Sequence, residues 1–180
     1  MGYSAYVQQE KGVQGNFLTQ MFHFNKATGK KITLTTPPSN KYPGEGAFTL
    51  VNGVQNEKGL ARSTEFLGFE GPDCEVVIDL GSLQTINNAT IHTLSSGGSW
   101  VYPPQYVEIF ISQDGQSFTS AGKSEKFVPT NGSNGIIKVS FTPASARYVK
   151  IVVKNFGIIP SGMSGAGNGA WLFVDEIEVN

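Results

Sequence analysis

Apolar and polar residues alternate with a period of two over several short stretches of the chain. In Tyr106-Val107-Glu108-Ile109-Phe110-Ile111-Ser112, the residues Val107, Ile109 and Ile111 share one face. In Tyr148-Val149-Lys150-Ile151-Val152-Val153, the residues Val149, Ile151 and Val153 do the same. Side chains two apart point the same way only in an extended strand, so both stretches predict half-buried antiparallel strands. Lys31–Thr35, Glu75–Leu80, Ala89–Leu94, Phe118–Gly122, Ile136–Phe141, Arg147–Lys154 and Trp171–Val179 have the same character, which with Tyr106–Ser112 makes eight predicted strands. Turns between them are expected at Asn52-Gly53, Asp114-Gly115, Asn131-Gly132 and Asn134-Gly135, dipeptides that accept positive φ at low cost. No stretch keeps a capped 3.6-residue apolar period, so crossover helices find no support. The pattern predicts an all-β fold, a β-sandwich or jelly roll.

Residues 1–24 break the pattern, with a polar Tyr3–Asn16 followed by the aromatic-rich Phe17–Phe24, and read as a tail, a linker or the remnant of a preceding domain. The domain proper runs over residues 25–180. Two long loops lie inside it: Thr36–Gly44, rich in Pro, Gly and Ser, and Asn155–Gly169, rich in Gly. Such loops usually carry function on a strand scaffold.

Composition narrows the function classes. The 180 residues fit one domain, and charged residues are 15% against roughly a quarter in an average globular chain. The net charge of -1 gives no global field for nucleic acid or an anionic membrane surface, and no basic cluster is longer than Lys30-Lys31. Apolar runs such as Trp171–Val174 are far too short to span a bilayer, and the start of the chain as given lacks a signal-peptide pattern. One cysteine, Cys74, allows no internal disulfide, and with only His23 and His92 beside it a four-ligand zinc site is excluded.

Catalytic motifs fail on context. Gly165-Ala166-Gly167-Asn168-Gly169 precedes a strand, whereas a dinucleotide loop must open a helix whose N–H groups face phosphate. Asp175-Glu176 resembles the acidic pair of certain β-hexosaminidases, but those build it on a (β/α)₈ barrel of about 250 residues. No Gly-x-Ser-x-Gly elbow accompanies a histidine. The chain reads as noncatalytic.

From Asn25 onward a set of segments in fixed order carries a family likeness: Leu50-Val51-Asn52-Gly53, Glu75–Gly81, Val107–Phe118, Ala146–Ile151 and Trp171–Ile177. With these the chain resembles discoidin, or coagulation-factor type C, domains, and in particular family 32 carbohydrate-binding modules. Asn25–Ile32, Phe66–Gly71 and Gly169–Phe173 look like the C-terminal module of chitobiases and β-hexosaminidases from Bacteroides-like bacteria. In those enzymes a small β-sandwich precedes the module, and Thr19–Phe24 looks like its end.

The resemblance implies an eight-stranded antiparallel jelly-roll β-sandwich, galactose-binding-domain-like, with a calcium site near one end and a glycan site among the loops. Matched position by position, Asn52 would give calcium a side-chain oxygen, Thr49 and Val54 carbonyls, Thr64 its hydroxyl or carbonyl, Asp175 a carbonyl and Glu176 a carboxylate. The family commonly has Asp where Asn52 stands, and the stretch to Thr64 is longer here. Sugar recognition requires an aromatic face and a few fixed polar groups. Trp100, Tyr102, Asn155 and Phe156 supply these, with Arg62 and His92 as further polar candidates. Trp100 has a packing role as its alternative, while Trp171 and Phe173 read as core and Cys74 as an inert buried thiol.

The expected function is a noncatalytic module that tethers an exported bacterial glycoside hydrolase, a chitobiase or β-N-acetylhexosaminidase, to N-acetylhexosamine- or galactose-containing glycans. Its expected partners are a glycan and the catalytic domain of its own parent chain, with no nucleic acid, and the module is expected to be a monomer. A periplasmic, outer-membrane-associated or secreted location follows from the same likeness. The alternative is a structural module that packs on the catalytic domain without a sugar site. Phospholipid binding, a third class, requires exposed apolar spikes beside basic residues and has the least support.

Overall fold

The computed structural model describes residues 21–180 apart from Arg62, together with everything but the side chains of Ala61 and Ser63. Nine strands follow in order: β1 Lys31–Leu34, β2 Gly44–Ala47, β3 Leu67–Glu70, β4 Cys74–Leu94, β5 Tyr106–Ser112, β6 Thr119–Ser124, β7 Phe127–Pro129, β8 Asn134–Lys154 and β9 Trp171–Val179. All pairings between these strands are antiparallel, and eight of them join one continuous hydrogen-bonded system. The all-β antiparallel jelly-roll expectation holds.

β4 and β8 are both 21 residues long and serve two layers each. Their mutual pairing breaks register between Asp79 and Gln84 and again between Ile86 and Asn88. The chain turns there, with Gly81 at φ +87°, a conformation that costs glycine little. Before the bend β4 pairs with β1 and with the second half of β8, which in turn pairs with β5. After the bend it pairs with the first half of β8 and with β9, which carries β3. One sheet therefore folds over on itself to make two layers.

The alternation read from the sequence builds the core between them. Val76 and Ile78 of β4, Val107 and Ile109 of β5, and Val149, Ile151 and Val153 of β8 meet Ile91, Ile137, Leu172, Val174 and Ile177 from the other layer, all with no exposed surface. Removing this much apolar area from water is the main term favouring the fold.

Several expected boundaries change. Glu75–Leu80 and Ala89–Leu94 are the two arms of one strand, as are Ile136–Phe141 and Arg147–Lys154. Asn134-Gly135 is not a turn but the start of β8; the turn is closed earlier, where Asn134 N–H donates to Asn131 O at 2.9 Å. The tail expected over residues 1–24 lies largely outside the described residues; at its end, His23 N–H donates to Gly53 O at 2.8 Å.

Ile151→Ala, at the centre of the paired arms of β4, β5 and β8, tests the sandwich. The truncation leaves a cavity and should cost about 2–5 kcal/mol, read as a lower urea midpoint with an unchanged m-value. A cost within about 0.5 kcal/mol would contradict the core as described.

Candidate loop rim and carboxylate face

Two groups of functional candidates emerge, one in the loops beside the start of β9 and one on the outer surface of the second layer. The loop group centres on Trp100. It closes the short 3-10 turn Gly97–Ser99 in a left-handed conformation, φ 62°, the one non-glycine positive φ among the described residues. A bulky side chain pays for that conformation with strain, so the surroundings must fix it. Trp100 N–H donates to Gly97 O at 3.0 Å, and its carbonyl accepts Trp171 N–H at 2.9 Å. Trp100 remains 39% exposed, and its indole lies against Gly165 of the glycine-rich loop.

Tyr102 follows at 7% exposure, its ring stacked on Phe156 with centroids 4.9 Å apart and its hydroxyl donating to Ser164 O at 2.9 Å. Tyr102 is therefore tied to the loop by its hydroxyl and held by Phe156. The expectation that Tyr102 contacts a sugar is corrected, since the residue is buried and its hydroxyl donates to the loop.

Asn155 requires a stronger correction. It is 1% exposed, its amide nitrogen faces the carbonyls of Phe69, Pro72 and Ala170 at 3.1–3.3 Å, and its side-chain oxygen accepts Gly157 N–H at 2.9 Å. No polar atom of its side chain is left for a sugar hydroxyl. Asn155 ties loops together instead. Trp171 and Phe173 are buried in a ring cluster with Tyr42 and Phe66, as expected for core.

The second group is made by a β-bulge. β9 opposes His92 with Glu176 and Thr93 with Val174, which leaves Asp175 as the extra residue. A bulge turns consecutive side chains off the regular alternation. Val174 and Ile177 thus stay in the core cluster while the carboxyls of Asp175 and Glu176 meet the loop after Val51. Asp175 accepts Asn56 N–H at 2.8 Å and Glu176 accepts Gly53 N–H at 3.1 Å.

Burial raises both carboxyls. Glu176 is pushed up to about 9 by desolvation and then by the neighbouring Asp175 and Glu178, against the opposing pull of Gly53 N–H and Asn25. Asp175 rises to about 6, again chiefly through desolvation. Glu176 Oε1 is buried with no hydrogen-bond partner. Cys74 is likewise pushed well up by burial, in keeping with an inert thiol.

The other expected calcium ligands stand as follows. Gly53 borders Glu176 directly through its N–H, and the preceding Asn52 turns its Oδ1 to accept Val54 N–H at 2.8 Å. Thr49 is buried, with its hydroxyl accepting Glu45 N–H at 2.7 Å. Thr64 is exposed in the turn Ser63–Glu65 and shares no hydrogen bond with the Asn52 loop among the described residues. Among those residues no three His, Cys, Asp or Glu side chains converge, so a cation at Glu176 would depend on carbonyl and amide oxygens.

His92 sits on this outer surface, 3.7 Å from Glu178, and not at the Trp100 rim. It lines a polar cavity of about 340 Å³ with Asn56, Asn134 and Asp175. Arg62 lies outside the described residues. Reading the sequence missed Gly165, Ser164 and Asn56; the glycine spacing of the loop was the one available signal for the first.

The comparisons agree with this architecture. The family model of the F5/8 type C domain matches residues 31–174. Among solved structures, the chain is similar to chitosan-binding module 1 of a chitosanase/glucanase from Paenibacillus sp. IK-5, at 21% identity over 88% of this chain and 99% of that one, TM-score 0.55. It is similar to the C-terminal domain of a chitobiase from Bacteroides fragilis, at 24% identity over 86% and 95%, TM-score 0.55. A fucose binding module of Streptococcus pneumoniae aligns at 14% identity over 87% and 94%, TM-score 0.55. At these identities the likeness establishes the fold. No curated protein matches the chain. With 31–174 matched and the bent-sheet sandwich in place, the chain belongs to the F5/8 type C domain family.

Proposed function

We propose that the protein is a noncatalytic carbohydrate-binding module. It would hold a glycoside hydrolase of the chitobiase or β-N-acetylhexosaminidase kind on N-acetylhexosamine- or galactose-containing glycans outside the cytoplasm. The observation that carries this reading is Trp100: a 39% exposed tryptophan fixed at φ 62° in a loop rim. An aromatic face held open against its own burial is what a pyranose ring packs on. The neighbours named for a fucose-binding module, a chitosan-binding module and a chitobiase C-terminal domain support the same class. Tethering raises the local substrate concentration without any chemistry by the module itself.

A second reading is favoured by one specific observation. Asn155 and Tyr102, the polar partners expected beside Trp100, are consumed inside the protein. A module that packs on its catalytic domain and has no sugar site needs no such partners. Calorimetry with N-acetylglucosamine, N-acetylgalactosamine, galactose and chitobiose separates the two. The carbohydrate reading expects millimolar or tighter binding of at least one, weakened at least about ten-fold, or ~1.4 kcal/mol, by Trp100→Ala with little change in melting temperature. No heat with any of them supports the structural reading.

Calcium is proposed at the Glu176 end of the β9 bulge, held by the Glu176 carboxylate with oxygens of Asn52, Thr49 and Val54 and the Asp175 carbonyl. The orphaned Glu176 Oε1 is the observation that fits: it is a buried oxygen with no hydrogen-bond partner, the kind of atom a hard cation would take up. Bound there, the ion would neutralise a desolvated carboxylate and lock the loop. Calcium at about 100 times its dissociation constant should stabilise by ~2.7 kcal/mol, a rise of roughly 5–10 °C in melting temperature, and Glu176→Gln should abolish the rise. An equal rise in both proteins would overturn the assignment.

The chelated protein should show the carboxyl's pH signature. Folding holds Glu176 protonated up to about 9, while the unfolded group ionises near its ordinary 4.5. Its contribution is therefore full below pH 4.5 and is lost as pH rises toward 9. Denaturation in chelator should show stability declining over that range, with a shallower decline in Glu176→Gln. Identical slopes would contradict the burial of this group.

A further inference from the structure

We propose that Gly165 is a positioning residue for Trp100: its missing side chain is the seat on which the indole rests, and Tyr102 holds that seat in place through Ser164. The proposal rests on the reading of Trp100 as the sugar platform and adds what fixes the platform's orientation.

A Cβ built on Gly165 would stand 2.6 Å from Trp100 Cδ1 and 2.7 Å from Cγ and Nε1, distances at which something must move. The indole thus lies flat on bare backbone. Backbone sterics demand glycine here as well, with φ +81°. The seat is pinned on both sides of its Cα. Ser164 O, just before it, accepts the Tyr102 hydroxyl at 2.9 Å, and Gly165 O accepts both the backbone N–H and the side-chain amide of Asn168 at 3.0 Å.

Tyr102 is itself fixed by its stack on Phe156 and by its N–H, which donates to Trp171 O at 3.2 Å. Trp171 N–H donates in turn to Trp100 O at 2.9 Å. The seat and the indole are therefore referenced to the same first residue of β9. With one face on Gly165, the ring offers a ligand its other face alone, and the left-handed Trp100 backbone is held by contacts on both sides. A platform ordered before the ligand arrives avoids the entropy cost of immobilising a large side chain on binding.

The loop supplies its own control. Gly162 also has positive φ, +89°, but a Cβ there would meet nothing within 4 Å. Gly165→Ala and Gly162→Ala therefore carry the same kind of backbone strain, and only the first touches Trp100. The test compares wild type, both alanine variants and Tyr102→Phe by ¹H–¹⁵N correlation of the two tryptophan indoles, assigned with Trp100→Phe, and by calorimetry with N-acetylglucosamine.

The expected result is a shifted or broadened Trp100 indole signal in Gly165→Ala without ligand, an unchanged one in Gly162→Ala, and an intermediate effect in Tyr102→Phe. The dissociation constant should rise about ten-fold in Gly165→Ala and stay within about two-fold in Gly162→Ala. An unmoved indole signal in Gly165→Ala overturns the proposal, as does equal weakening of binding by both glycine variants or a moved indole with unchanged affinity. If wild type binds none of N-acetylglucosamine, N-acetylgalactosamine, galactose and chitobiose, the carbohydrate reading fails separately, and the ligand-free indole signal still decides whether Gly165 seats Trp100.

Discussion

The rim depends on one buried amide. Asn155 follows directly on the long β8 strand, and its side-chain nitrogen serves carbonyls from β3, from the turn before β4 and from the residue before β9. Its backbone N–H donates to Asp73, whose other carboxylate oxygen accepts Lys154 Nζ at 2.9 Å. These three carbonyls come from segments more than 80 residues away in one direction and 15 in the other; Ala170 O also accepts Gly71 N–H, and a buried carbonyl left unpaired costs about 1–3 kcal/mol. The Gly165 loop runs into the β9 start beside this knot, and the Trp100 loop, between β4 and β5, is hydrogen-bonded to that same start through Trp171. A flexible glycine-rich loop becomes a defined surface because its root is tied to the scaffold.

The bent sheet explains why the two candidate sites are separate. β9 begins at the rim, where Trp171 exchanges hydrogen bonds with Trp100 and Tyr102, and continues to the bulge at Asp175. At the rim it supplies main-chain anchors; four residues later it supplies desolvated carboxyls. The same strand thus fixes an open aromatic surface and a closed polar one.

Much of this was legible in the sequence where the signal is local. Tyr106–Ser112 and Trp171–Val179 form strands over the residues that alternation marks. β3, Leu67–Glu70, was missed because three of its four residues are buried and no alternation survives. The two arms of β4 and of β8 read as separate strands because a bend interrupts apolar alternation without ending hydrogen bonding. Asp175-Glu176 stood out as an acidic pair, but the bulge that turns both carboxyls outward is a matter of pairing register, which sequence does not display.

Asn155 was expected to face a sugar, and its side chain is instead buried and bonded within the protein. Its partners are non-local carbonyls, and no local pattern announces them. Trp100 was recognisable as an aromatic beside Gly97-Gly98-Ser99; its left-handed backbone and glycine seat were not. The central claim is that the open face of Trp100 is where a glycan packs. A crystal structure of the protein with N-acetylglucosamine and calcium tests it most directly. The account predicts a pyranose ring against the exposed indole face, opposite Gly165. A sugar ordered in the cavity beside His92 and Asn134, with the indole face bare, would contradict it.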